Sequence, residues 1–195
     1  MSPFQAMERS YAALKALLRE GAYPPGHRLE ANRIAEEIGV SMTPVRDALN
    51  RLVGERIVEA SSGEGFHVPR LAEGDLRDLY EWHSAVAIMA ARTARRIPDE
   101  EAIAEALATK PLADATAAVF RLLAESAPNR ELRPAVENIS ERLHPFRIAE
   151  EKVSFPMIGH LEEILDPAKQ LAAIRRYHLV RMKSVEELIR LRTKL

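Results

Sequence analysis

The chain has 195 residues, 47% of them hydrophobic, with 28 Lys and Arg against 29 Asp and Glu and no cysteine. Such a composition suits one or two packed domains and excludes a disulfide scaffold, thiolate metal centres and thiol catalysis. No apolar run has the length that crosses a bilayer and the N-terminus lacks the order of a signal peptide, so a cytoplasmic chain without a membrane partner is expected. A formal net charge of −1 supplies no global positive field, and any contact with nucleic acid falls to individual arginines and helix N-termini.

Phe4, Met7, Tyr11, Leu14 and Leu18 recur three or four residues apart, which predicts an amphipathic helix from Pro3 to Glu20 with this stripe buried and Gly21 at its end. Tyr23-Pro24-Pro25-Gly26 forces a turn, since neither proline continues a helix. A second, shorter helix carries Leu29, Ile34, Ala35 and Ile38, starts at the weak capper Glu30 and stops at Gly39. Ser41 can cap a third helix, with Pro44 in its first turn and Val45, Ala48, Leu49 and Leu52 facing a core. Its outer face presents Met42, Thr43, Arg46 and Asn50. Two helices across such a turn, with a polar outer face on the second, are what a helix-turn-helix needs to enter the major groove of double-stranded DNA.

The period then changes. Ile57-Val58-Glu59-Ala60 and Phe66-His67-Val68 read as two strands around Ser61-Ser62-Gly63-Glu64-Gly65, a hairpin that makes a wing. From Leu71 onward the pattern is helical: a long helix to Arg96, then Asp99 to Thr109, Leu112 to Ala124, Leu132 to Val153 with a kink at Pro145, Met157 to Leu165, and Pro167 to Leu191. The expected fold is mainly α, with a winged helix-turn-helix of three helices and a β-hairpin followed by an all-α bundle of about six helices.

The order Tyr11, Pro25-Gly26, Arg28-Leu29, Ile34-Ala35, Gly39-Val40-Ser41, Thr43-Pro44-Val45-Arg46, Ala48-Leu49, Arg51-Leu52 and Gly65-Phe66-His67-Val68 resembles the N-terminal domain of GntR-family bacterial transcriptional regulators. More weakly, Asp75-Leu76 through Tyr80, Phe120 through Asn129, and His160 with His178 resemble the FadR-like C-terminal domain of one GntR subfamily, here shortened between Arg96 and Leu112. The resemblance implies a DNA-binding domain over residues 1–70 and an effector-binding and dimerisation domain over 71–195. It implies a homodimer on a palindromic operator, modulated by a small carboxylate-type effector. A second reading keeps the DNA-binding dimer and makes the helical half a degenerate module without effector or metal.

On this resemblance Arg46 and Arg33 contact DNA, and the outward face of the third helix gives Arg46 reach to a guanine edge or a phosphate. Ser41 and Thr43 either contact phosphates or serve only as cap and first-turn residue, Asn50 shares their face, and Gly65 lets the wing backbone approach the minor groove. Met42 stands where related regulators usually have arginine, so either an apolar contact such as a thymine methyl or a weakened interaction replaces a charged one.

The resembled helical domain often holds a divalent metal with an Asp and a His four residues apart and two later histidines. The later pair is matched by His160 and His178, but alignment on Phe120 puts Ala117 and Arg121 at the first pair. No cofactor is therefore expected, and a metal would rest on His160 and His178 alone. Arg121 either replaces the metal as the positive element, with His83, His160 and His178 lining an effector pocket, or pairs with Glu125 on the surface. No nucleophile elbow, phosphate loop or paired-carboxylate motif is present, so an enzyme is not expected, and a metal-dependent one is the weakest alternative.

Overall fold

Ser2 and Gln5 cap the first helix reciprocally: the Gln5 N–H donates to the Ser2 hydroxyl at 3.2 Å, and the Ser2 N–H to Gln5 Oε1 at 2.9 Å. This helix is α1 (Pro3–Arg19), and after the proline turn come β1 (Arg28–Leu29), α2 (Ala31–Ile38), α3 (Met42–Gly54), β2 (Glu59–Ser61) and β3 (Gly65–His67). The computed structural model describes residues 2–61, 63–151 and 161–193, and the chain divides into two units, Met1–Leu71 and Ala72–Lys194.

In the first unit α1 packs on α3, and α2 packs on α3 across the turn at Gly39. Leu14, Leu18, Ile34, Val45, Leu49 and Leu52 form its core, closed by Leu29, Val58 and Val68. Phe4 departs from the expected stripe and is 69% exposed, because the first turn of α1 lies outside this core. The wing has three antiparallel strands in the order β1-β3-β2, with Arg28 opposite His67 and Glu59 on the other side of it. A hairpin of two strands was the expectation, and a two-residue strand such as β1 is too short to display a period in sequence. Ile57 and Val58 precede β2, since their N–H groups turn back to the Leu52 carbonyl at the end of α3.

The second unit consists of α4 (Glu73–Thr93), α5 (Glu100–Ala108), α6 (Leu112–Glu125), α7 (Leu132–Glu150), α8 (Leu161–Leu165), α9 (Gln170–Lys183) and α10 (Val185–Thr193). α4 is its axis and packs against α6, α7, α9 and α10. Seven helices stand among the described residues where about six were expected, because the last stretch divides at Ser184, whose N–H bonds the Arg181 carbonyl. α4 ends three residues early, its Arg95 N–H going to the Ser126 carbonyl at 2.8 Å. α7 runs through Pro145 as one helix, while Val153 and Met157 fall outside the described residues.

Gly39 ends α2 at φ 73° and ψ 43°, and its N–H and that of Val40 both bond the Ala35 carbonyl at 3.0 Å. A Cβ built there meets nothing within 4 Å, so backbone strain alone opposes a side chain. Gly39→Ala is expected to lower stability by about 1–2 kcal/mol and Gly39→Asn by less, because Asn tolerates the left-handed region. Urea unfolding checks this: the midpoint should shift in that order without a change in slope.

Candidate functional site

The two faces of α3 separate cleanly. Val45, Ala48, Leu49 and Leu52 have no exposure, whereas Ser41, Met42, Thr43, Arg46 and Asn50 are all exposed. Arg33 on α2 is exposed as well. Ser41 occupies the N-cap position with extended angles but makes no side-chain cap bond, which leaves its hydroxyl and the first-turn N–H groups of α3 open to an anion. Gly65, exposed at φ 88°, opens β3, and the Arg28 guanidinium lies 3.8 Å from where its Cβ would stand. Arg28 is a cation beside the wing that sequence reasoning passed over, since only the pairing of β1 with β3 brings it there.

Behind this face α1 and α3 are tied by a polar network. The Tyr11 hydroxyl donates to Glu55 at 2.8 Å and accepts from Lys15 at 3.0 Å, and the Arg51 guanidinium sits 3.8 Å above the Tyr11 ring while bonding Glu8 at 2.8 Å. Burial foremost pushes the Tyr11 hydroxyl above its ordinary pKa, so it remains a donor. The acids of this unit thus partner its inward bases. Arg46 takes part in no ion pair among the described residues.

The second unit buries charge in its interior. Arg181 of α9 donates through Nε and Nη2 to both oxygens of Glu150 on α7, at 2.6 to 3.0 Å, and through Nη1 to the Tyr177 carbonyl at 3.1 Å. Tyr80 of α4 adds a bond to Glu150 at 3.1 Å, its hydroxyl held protonated chiefly by burial. Nearby, His83 Nδ1 lies 2.7 Å from His178 Nε2, and His178 Nδ1 lies 2.7 Å from the Ile174 carbonyl. A carbonyl only accepts, so His178 carries its proton on Nδ1, accepts at Nε2, and fixes the His83 proton on Nδ1. His83 Nε2 is then a buried acceptor with no protein donor.

The Phe120 ring of α6 gathers these groups, with His83 at 4.5 Å, Tyr177 at 5.1 Å and His178 at 5.6 Å between ring centroids, and the Arg147 guanidinium 5.9 Å away. All three nitrogens of Arg147 and the Tyr177 hydroxyl are buried without a hydrogen-bond partner among the described residues.

Of the expected effector residues, His83 and His178 come together, but His178 has both nitrogens engaged and offers none to a ligand or metal. Arg121 is exposed on α6, so it is not the positive element of this interior, and Glu125 pairs with Arg133 at 3.2 Å. His160 lies outside the described residues, and among those described no three His, Asp or Glu side chains come together as a metal site.

The sequence pattern of gntR-family bacterial regulatory proteins matches residues 6–68. An uncharacterised HTH-type transcriptional regulator from the TAR-I ttuE-ttuC' intergenic region of Agrobacterium vitis is 30% identical over 140 residues, covering 72% of this chain and 77% of that one. The chain belongs to the GntR family. The HTH-type transcriptional regulator McbR of Escherichia coli is 27% identical over 183 residues, 86% of this chain and 76% of that protein. In fold, the chain is similar to a solved structure described as a putative GntR transcriptional regulator from Rhodococcus, with a TM-score of 0.70 at 19% identity over 95% of this chain and 96% of that one. This GntR-family chain is accordingly a transcriptional regulator with a DNA-binding helix-turn-helix, and its relatives are named as regulators, not enzymes.

Burial holds the His178 imidazole at a pKa of about 3, against the pull of its bond to Ile174, and holds His83 well below its ordinary value through burial and the neighbouring His178 and arginines. Unfolded, each takes up a proton near pH 6.5. Between those limits the unfolded chain binds more protons, so stability is fullest above about pH 7 and falls as pH drops through 6.5, by about 1.4 kcal/mol per pH unit for each histidine. Urea unfolding of the wild type and His178→Phe between pH 5 and 7 checks this. The variant should lose about one proton's worth of the slope.

Proposed function

We propose that this GntR-family regulator binds a palindromic operator as a homodimer, reads it with α3 and the wing, and responds to a small carboxylate-type effector in its helical half. The observation that carries the first part is the division of α3, with the 45, 48, 49 and 52 side chains buried and the 42, 43, 46 and 50 side chains exposed. In the proposed complex Arg46 and Asn50 reach base edges, Met42 packs on a thymine methyl, Ser41, Thr43 and Arg33 meet phosphates, and the Gly65 backbone approaches the minor groove. Residues 1–70 serve as the DNA-binding domain and 71–195 as the FadR-like effector and dimerisation domain.

Trp82 and Met89, seven residues apart on α4, are 55% and 52% exposed, and Leu179 on the adjoining α9 is 50% exposed. Large apolar side chains sharing the outside of packed helices suit a symmetric contact between two copies, and two-fold symmetry matches a palindrome. An effector acts by preferring one arrangement of the bundle, and only that difference in affinity changes DNA binding.

Selection from a random DNA library yields the operator on which these assignments are tested. Arg46→Ala should bind it more weakly by about 1–3 kcal/mol, with relaxed preference at one base position if the contact is to a base, or a salt slope smaller by about one if it is to a phosphate. Undiminished affinity of Arg46→Ala at matched salt would falsify the assigned recognition face.

A further inference from the structure

Arg147 stands apart from the other buried cations of the helical unit. It lies on α7 at 2% exposure, and none of its three guanidinium nitrogens has a hydrogen-bond partner among the described residues. Arg181, its neighbour across the cavity, is satisfied in full by Glu150 and the Tyr177 carbonyl. The Glu150 carboxylate pairs with Arg181 and bonds Tyr80, and Glu151 accepts from the Ala113 N–H, so among the described residues no carboxylate is paired with Arg147. Breaking an ion pair inside a protein is severely destabilising because it leaves one such charge behind, and here the fold carries that arrangement by itself.

Arg147, Glu150 and Arg181 line one small cavity with Thr116, Ala113 and Leu161, whose free volume of about 10 Å³ takes one water-sized group, so a carboxylate enters with an outward shift of the lining. A water molecule there would satisfy N–H groups but not the charge, and a metal cation would add to it. What the site lacks is one negative charge with planar acceptors that match the guanidinium fork.

We infer that Arg147 binds the carboxylate of a small monoanionic effector directly, with no metal ion between them, and that this contact is the anchor of the effector site. The inference rests on the reading of the helical half as an effector domain and names the residue, charge and chemistry that reading leaves open.

The test uses the full chain in EDTA and follows thermal unfolding with acetate, propionate, benzoate and inorganic phosphate, each carboxylate set against its neutral amide. At least one carboxylate should raise the melting temperature in a concentration-dependent way while its amide does not. Arg147→Lys, which keeps the charge but loses the fork, should bind that carboxylate more weakly, and Arg147→Met should bind it at least about tenfold more weakly. Without ligand, Arg147→Met should melt at or above the wild type, since an apolar side chain of similar length relieves an uncompensated charge.

Four results overturn the inference: no shift with any carboxylate, equal shifts with carboxylate and amide, a shift that appears only when divalent metal replaces EDTA, or an Arg147→Met protein that melts well below the wild type. A phosphate shift without a carboxylate shift keeps an anion site but overturns the carboxylate. Gel-shift assay of the same Arg147→Met protein on the selected operator separates this from the wider reading. Retained DNA binding with no ligand response places the failure in the effector site alone, and loss of operator binding by the wild type places it in the DNA-binding reading.

Discussion

The bundle depends on the bond between Glu150 and Arg181. Both side chains are buried, the guanidinium meets both carboxylate oxygens, and Tyr80 completes the acceptor, so three helices, α4, α7 and α9, close on one point. An ion pair in such a place is poor evidence of net stability, since desolvation opposes the Coulomb gain and well-packed apolar residues do as well. What it supplies is registry. Any slip of α7 against α9 leaves two buried charges unpaired, an outcome costing several kcal/mol, so the helices have one acceptable alignment. That alignment also holds Arg147, one turn before Glu150, against the cavity with no hydrogen-bond partner among the described residues.

The two units use charge in opposite ways. In the winged unit two bases that join α1 to α3 are matched by acids: Arg51 by Glu8 and Glu55, and Lys15 by Glu55, with the Tyr11 hydroxyl between them. The cations left for DNA are exposed, where solvation keeps their free state inexpensive and a phosphate or guanine edge needs only modest desolvation to reach them. A near-neutral chain can bind DNA on this basis, because contact needs a few well-placed charges and not a positive net charge. In the helical unit the Arg147 guanidinium is buried without a hydrogen-bond partner among the described residues, and the effector proposed for it would owe its selectivity to the penalty of leaving it so.

Much of the winged unit was legible in sequence because its signals are local. Gly39 with its positive φ, Ser41 at the N-cap and the spacing of Val45, Ala48, Leu49 and Leu52 each report on the few residues around them. β1 was missed because two residues carry no period, and Arg28 was missed with it. In the helical unit the sequence left Arg121 open between an inward cation and a surface arginine, and the structure places it on the exposed side of α6 beside the buried Phe120.

A signal for the true cluster did exist. On α7, Val136, Ile139, Leu143, Arg147 and Glu150 follow one helical stripe, and all five are buried. On α4, His83 continues the stripe of Leu76, Leu79 and Tyr80, and on α9, Arg181 continues that of Ile174 and Tyr177. Charged or polar residues that keep the register of an apolar stripe are usually long side chains reaching out of it, and the exposed ends of most helices here obey that expectation. Three stripes carrying such residues toward one centre are different, because each supplies a partner for the others. Only the packing of α4, α7 and α9 reveals that the sum does not close, with two arginines against one carboxylate. A sensor gains from that imbalance. A ligand that completes the charge binds most strongly the bundle arrangement that presents Arg147 to it, and such a difference in affinity between arrangements is the only means by which a bound molecule can shift them.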